Sequence, residues 1–130
     1  MSTGKVLILE DDGDLAYTYE QLVVLATGHL VVIVRSFAAL QIRREDALAC
    51  DVAILDIDLG EGAPSGIDAY RWLRGQGYQG RIYFITGHGK SHPLVVQAVK
   101  MCGGAVYAKP LELDRFIGLI TGVEKSNACD

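Results

Sequence analysis

Five short apolar runs set the terms for this chain: Val6 to Leu9, Val31 to Val34, Val52 to Leu55, Ile82 to Ile85, and Ala105 to Ala108. They are continuous rather than alternating and rich in β-branched residues, the pattern of strands covered on both faces in a parallel sheet. The segments between them carry helical spacing. Leu15, Tyr19, Leu22, Val23 and Ala26 share one face, as do Leu94, Val95, Ala98, Met101 and Cys102, and near the C-terminus Leu113, Phe116, Ile117 and Ile120. Ser65 to Gly75, with Ile67, Tyr70 and Leu73, reads as a helix closed by Gly75 and Gly77. Phe37 to Leu48 carries a weaker pattern and reads as helical. Ser91 and His92 before Pro93 suit a helix start, because proline is tolerated in the first turn. Strand and helix thus alternate five times. This predicts one α/β domain over residues 1–130: a doubly wound (βα)5 unit of flavodoxin-like topology, with a five-stranded parallel sheet and helices on both faces.

The residues that close each run narrow the chemistry. The first run ends in Glu10, Asp11 and Asp12, the third in Asp56, the fourth in Thr86 and the fifth in Lys109-Pro110. In an open α/β sheet, ligands bind outside the carboxyl ends of the strands where strand order reverses. Four strand ends therefore bring reactive side chains to one edge, while the second, ending in Arg35 and Ser36, offers nothing comparable. Two carboxylates about 4 Å apart repel by roughly 4 kcal/mol at an effective dielectric near 20. Glu10, Asp11 and Asp56 together must hold a proton or bind a cation, and an all-oxygen site with room for waters and a phosphate suits Mg²⁺. Asp56 closes an apolar strand, where an unpartnered carboxylate is costly, and a carboxylate there can act as a nucleophile towards phosphorus. Phosphoryl transfer asks mainly for a cation and donors around the equatorial oxygens; Thr86 offers a hydroxyl and Lys109 a point charge. Asp12, followed by Gly13 and Asp14, is read as the cap of the first helix.

Composition excludes several alternatives. The 130 residues carry a formal net charge of −4 and no run of Lys or Arg, against a nucleic-acid or anionic-membrane partner. No signal peptide and no stretch of roughly 20 apolar residues is visible, so a cytoplasmic protein is expected. Cys50, Cys102 and Cys129 match no C-x-x-C spacing and are expected to be unpaired thiols in a reducing compartment. Gly87-His88-Gly89-Lys90-Ser91 is no P-loop: the motif needs a glycine at position 84, which is Phe84 inside a strand. Trp72, Arg71 and Arg74 read as a solvated helix face with one packing aromatic.

The blocks Val6-Leu7-Ile8-Leu9-Glu10-Asp11-Asp12, Val52-Ala53-Ile54-Leu55-Asp56, Phe84-Ile85-Thr86-Gly87 and Tyr107-Ala108-Lys109-Pro110 resemble the four signature blocks of response-regulator receiver domains, in order and over nearly the whole chain. The resemblance implies a two-component or phosphorelay switch rather than an enzyme with turnover. Asp56 would be phosphorylated by a histidine kinase or histidine phosphotransfer protein, with Mg²⁺ held by Asp11 directly, by Glu10 through water, by Asp56, and by the backbone carbonyl of Asp58. Thr86 would swing to the phosphoryl group and Lys109 would pair with it. The family also implies a cis bond before Pro110, and gives the positions of Asp58 and His88 a part in tuning phosphoryl lifetime. His29 and His92 are read as bystanders.

Three departures from the family pattern stand out. The aromatic expected three residues before the lysine is Val106, with Tyr107 beside it, and neighbouring strand residues face opposite sides; Tyr107 therefore reads as packing, and the output relay as modified. Gly60 stands where proline is common, in a longer loop, and Gly87 stands where Ala or Ser is expected, giving that loop two glycines and more conformational freedom. A haloacid-dehalogenase-type phosphatase, suggested by Asp56-Ile57-Asp58, would place its D-x-D strand first and its acidic metal pair last, the reverse of this chain. A flavodoxin-type flavin module would need no ordered Asp, Thr and Lys. The chain is expected to be a free-standing receiver with a frayed polar tail from Glu124 to Asp130, rather than a piece excised from a larger regulator. Its downstream partner is undefined, and a dimer is possible but not derivable from sequence.

Overall fold

The computed structural model describes residues 4–122 and 128–129. The five apolar runs form strands β1 (Lys5–Leu9), β2 (Leu30–Val34), β3 (Val52–Asp56), β4 (Arg81–Thr86) and β5 (Val106–Ala108). All neighbouring pairs are parallel, in the order β2-β1-β3-β4-β5. Every residue of β3 is buried, as a central strand covered on both faces must be. Strand order reverses between β1 and β3, so the carboxyl ends of those two strands flank the crevice of a doubly wound sheet. The expected flavodoxin-like α/β fold is the observed one.

The helices are α1 (Gly13–Thr27), α2 (Phe37–Ile42), α3 (Arg44–Leu48), α4 (Gly66–Gly75), α5 (Pro93–Cys102) and α6 (Leu113–Thr121). Their starts are specified locally. Asp12 caps α1 by accepting from the Leu15 N–H, and Ser65 and Asp68 cap α4 reciprocally. His92 caps α5 ahead of Pro93, its ring accepting from the Leu94 N–H at 3.2 Å. Neighbouring helices meet through aromatic contacts: Tyr19 of α1 stacks on Phe116 of α6 at 5.0 Å, and Phe37 of α2 packs T-shaped with Trp72 of α4 at 6.1 Å.

Several expectations need correction. The segment from Phe37 to Leu48 is helical but divided into two short helices; Arg43 breaks it with ψ 33, its guanidinium reaching the Ile33 carbonyl and Asp46. Ala105 ends a 3-10 turn (Gly103–Ala105) instead of opening β5. Arg74 does not lie on a solvated face: it donates to the carbonyls of Tyr78 and Gly80 in the loop after α4 and to that of Cys129, tying that loop to the C-terminal segment.

The cysteines also differ from expectation. Cys102 and Cys129 are joined as a disulfide, and only Cys50 is a free thiol. The reason lies in strand register. Pairing of β5 with β4 begins at Phe84 and Val106, so the first residues of β4 have an open edge. Cys129 fills it as an antiparallel bridge to Ile82, donating its N–H to the Ile82 carbonyl at 2.8 Å. That brings it to the end of α5, with a Cα–Cα distance of 5.1 Å to Cys102. Of the tail expected to fray, residue 129 is therefore buried and held; residues 123–127 and 130 lie outside the described residues.

Candidate functional site

The carboxyl ends of β1, β3, β4 and β5 deliver the expected groups to one place. Glu10, immediately after β1, is wholly buried, and its backbone N–H donates to the Val34 carbonyl. Burial of a carboxylate requires partners, and both oxygens have one: Oε1 accepts from Lys109 Nζ at 2.7 Å and Oε2 from the Asp12 N–H at 3.2 Å. Lys109, carried in by β5, also donates to Asp56 Oδ2 at 3.1 Å. The Lys109-Pro110 bond is cis, as the resemblance implies. Carboxylate oxygens of Glu10, Asp11 and Asp56 all lie within 4.8 Å of one another.

This crowding sets the protonation state. Asp56 is pushed from the ordinary 3.8 up to about 7, first by burial and then by hydrogen bonding and repulsion from Glu10, against the pull of Lys109. Asp11 is raised too, by burial and by Glu10. At Lys109 burial works against the charge, but the hydrogen bonds and charges of Glu10 and Asp56 outweigh it and hold its pKa above the usual lysine value. Three carboxylates and one ammonium leave two formal negative charges, which a hard divalent cation would balance. The donor set, all oxygen and open through the exposed Asp11, fits Mg²⁺.

Thr86 ends β4, buried, with its hydroxyl accepting from the His88 N–H at 3.0 Å and its carbonyl from the Lys109 N–H at 2.8 Å. The threonine loop and the lysine strand are thereby coupled through backbone. Asp58 and His88 are in direct contact, His88 Nε2 lying 2.7 Å from Asp58 Oδ2. Asp58 is held below the usual carboxylate range by the Gly60 N–H, with His88 adding to it. Gly60 adopts φ 117, which proline cannot reach, so the departure from the family residue is a requirement of this loop. Gly87 and Gly89, by contrast, make no use of the left-handed region. Tyr107 packs against Tyr83 with Arg115 over its ring, as ordinary packing. On the other side of the strand, Val106 lines an apolar groove of about 580 Å³ with Thr86, Val95, Val99 and Ala108.

One contributor was missed. Arg35, at the end of β2, donates to the Asp11 carbonyl through Nε at 3.1 Å and Nη2 at 2.6 Å, fixing the backbone that aims the Asp11 carboxylate. Arginine at a strand end has no local signature, and its target lies 24 residues away.

A parallel (βα)5 sheet with an acidic crevice, a threonine and a lysine at successive strand ends is the architecture of a phosphorylation-controlled signalling switch. The response regulator receiver domain family matches residues 6–121, and the chain belongs to that family. Response regulator protein TodT of Pseudomonas putida is 32% identical over 120 residues, 92% of this chain and 51% of TodT. The chain thus spans about half the length of the curated relatives it matches. Among solved structures, a CheY-like receiver domain protein from Methanospirillum hungatei superposes with a TM-score of 0.77 at 20% identity, covering 97% of both chains. The signal receiver domain of a protein described as a Luxo repressor, from Vibrio parahaemolyticus, gives 0.73 at 26% identity, covering 97% of this chain and 93% of that one. The family match leaves the haloacid-dehalogenase reading without support. Among the described residues, no helix is long and apolar enough to cross a membrane.

Proposed function

We propose that residues 1–130 act as one cytoplasmic receiver unit in which Asp56 accepts a phosphoryl group from the phosphohistidine of a histidine kinase or histidine phosphotransfer protein. The observation that carries this reading is the Lys109 ammonium bridging Glu10 and Asp56 at the buried ends of three strands. An Asp56 oxygen attacks phosphorus in line, the phosphorus–nitrogen bond breaks, and the imidazole leaves as the neutral ring after taking up a proton. Asp11, Asp56, the Asp58 carbonyl and, through water, Glu10 would hold Mg²⁺, which would supply charge neutralisation at the transferring oxygens. Lys109 stays with the phosphoryl oxygens as Asp56 loses its charge. The Thr86 hydroxyl, an acceptor towards His88, has its own hydrogen to give to the phosphoryl group. Asp58 and His88 stand at the mouth of the site and set access of water to the acyl phosphate, hence its lifetime; the same geometry lets the domain assist its own dephosphorylation.

The output follows from Thr86. Its move towards the phosphoryl group draws on the backbone link to Lys109 and on the groove beside Val106, so the α5-β5-α6 surface changes with no aromatic swinging inward. The added charge of the phosphoryl group biases that surface between two states.

The test is labelling by a small phosphodonor with and without Mg²⁺, comparing wild type with Asp56→Asn. One stoichiometric, Mg²⁺-dependent, slowly decaying label that Asp56→Asn lacks is the expected result. Equal labelling of the two proteins, or steady turnover of phosphate monoesters, overturns the reading.

A further inference from the structure

Beside the acidic crevice lies a second cluster of different chemistry. Asp58, on the loop after β3, and His88 and His92, on the loop after β4, each offer a ligand atom, all within 4.8 Å of one another. Asp58 Oδ2 is 2.7 Å from His88 Nε2 and 4.0 Å from His92 Nε2. The two imidazoles stack at 4.1 Å. All three residues are partly solvent-exposed, so an ion can enter.

We propose that Asp58, His88 and His92 form a binding site for a borderline divalent transition ion of the Zn²⁺ class, separate from the oxygen-only crevice. The donor set distinguishes the two: imidazole suits Zn²⁺ and its neighbours, whereas carboxylate and carbonyl oxygens suit Mg²⁺. Geometry agrees. Zinc bonds of about 2.0–2.1 Å in a tetrahedral arrangement put donor atoms roughly 3.3 Å apart, and the two observed separations from Asp58 Oδ2 fall on either side of that spacing. The carboxylate is already oriented, since its Oδ1 accepts from the Gly60 N–H at 2.9 Å and leaves Oδ2 facing the rings. The His-x-x-x-His spacing of 88 and 92 is also one that metal sites use.

His92 carries a consequence. Its Nδ1 now accepts from the Leu94 N–H, which puts the ring proton on Nε2. Binding an ion through Nε2 moves that proton to Nδ1 and releases the cap, so loading the site is linked to the first turn of α5. The ion also clamps the β3–α4 loop to the loop that carries Thr86. Three protein ligands leave a fourth position for water or an anion.

The experiment is calorimetric titration of the full chain with Zn²⁺ under excess Mg²⁺, which occupies the acidic crevice, with the Cys102–Cys129 disulfide kept intact so that thiols do not compete. One Zn²⁺ per chain is expected, with His88→Ala and His92→Ala each weakening it by at least about tenfold. Asp56→Asn should bind as wild type does, which keeps this result independent of whether Asp56 is the phosphoacceptor. In proton NMR the His88 and His92 ring signals shift on titration and that of His29 does not. Wild-type affinity in His92→Ala, or loss of binding in Asp56→Asn, overturns the proposal.

Discussion

Lys109 places its ammonium 2.7 Å from a Glu10 carboxylate that has no exposed surface. A carboxylate so deep is tolerated only because that ammonium and the Asp12 N–H satisfy it. Removing one member of a buried pair typically costs about 3–5 kcal/mol, because the other charge is left stranded. Lys109→Ala should therefore lower unfolding stability by about 3 kcal/mol in chelator, and Mg²⁺ should restore part of it by returning positive charge to the same carboxylates. Urea denaturation with and without Mg²⁺ measures both effects. An equal loss in the two conditions would mean that the ion does not reach the Glu10 side of the crevice.

Asp56 makes metal-free stability depend on pH in an unusual direction. Its folded pKa of about 7 lies above the ordinary carboxylate 3.8, so between those values the folded chain holds more protons than the unfolded one. Stability contributed by this group is then greatest below the unfolded value and falls as pH rises through about 7. Each tenfold change in proton affinity is worth about 1.4 kcal/mol, so the loss is on the order of a few kcal/mol. Subtracting the pH profile of Asp56→Asn from that of wild type isolates it. The difference should favour Asn increasingly from about pH 4 to about pH 7 in chelator and flatten when Mg²⁺ holds Asp56 ionised.

Gly66 opens α4 directly against the backbone of Asp56. A Cβ there would collide with the Asp56 carbonyl oxygen and also press on the Ile57 backbone, neither of which can rotate away. Its own N–H donates to the Ile57 carbonyl at 2.8 Å, so the close approach is what seats the helix. Gly66→Ala should cost about 1–3 kcal/mol as overpacking and shift the Asp56 backbone resonances. Gly75, at the other end of the same helix, has open space around it, and Gly75→Ala should be neutral or stabilising by up to about 1 kcal/mol. Similar denaturation midpoints for the two variants would mean that α4 can seat without the close approach at Gly66.

The parts of this structure readable in the sequence are those encoded locally. Continuous β-branched runs define central strands wherever they occur, and Glu10, Asp56, Thr86 and Lys109 are informative because each directly closes such a run. Caps at Asp12 and His92 are likewise settled within three residues. The features that escaped the sequence depend on reach or register. Arg35 acts through a long side chain on a carbonyl in another loop, and the Asp58–His88 contact depends on how two loops lean together. The break at Arg43 comes from tertiary anchoring of its side chain, which helical periodicity does not report.

The disulfide is the clearest case, because it depends on where β5 begins relative to β4. Cys102 and Cys129 are 27 residues apart in sequence, and closing a loop of that length restricts the unfolded chain by roughly 3–4 kcal/mol. Cys129 also brings its neighbourhood with it: the Ile82 bridge and the Arg74 hydrogen bond to its carbonyl at 2.7 Å remain available after reduction. Reduction should therefore lower the denaturation midpoint without abolishing the fold, and Cys129→Ser should reproduce the reduced protein. Cys50 provides the internal control. It is buried, its Sγ donates to the Asp46 carbonyl, and burial pushes its thiol up to about 11. A thiol reagent applied to the oxidised native protein should label nothing until denaturant is added, then one site per chain. Two or three reactive thiols in the native state would mean that Cys129 does not sit against β4.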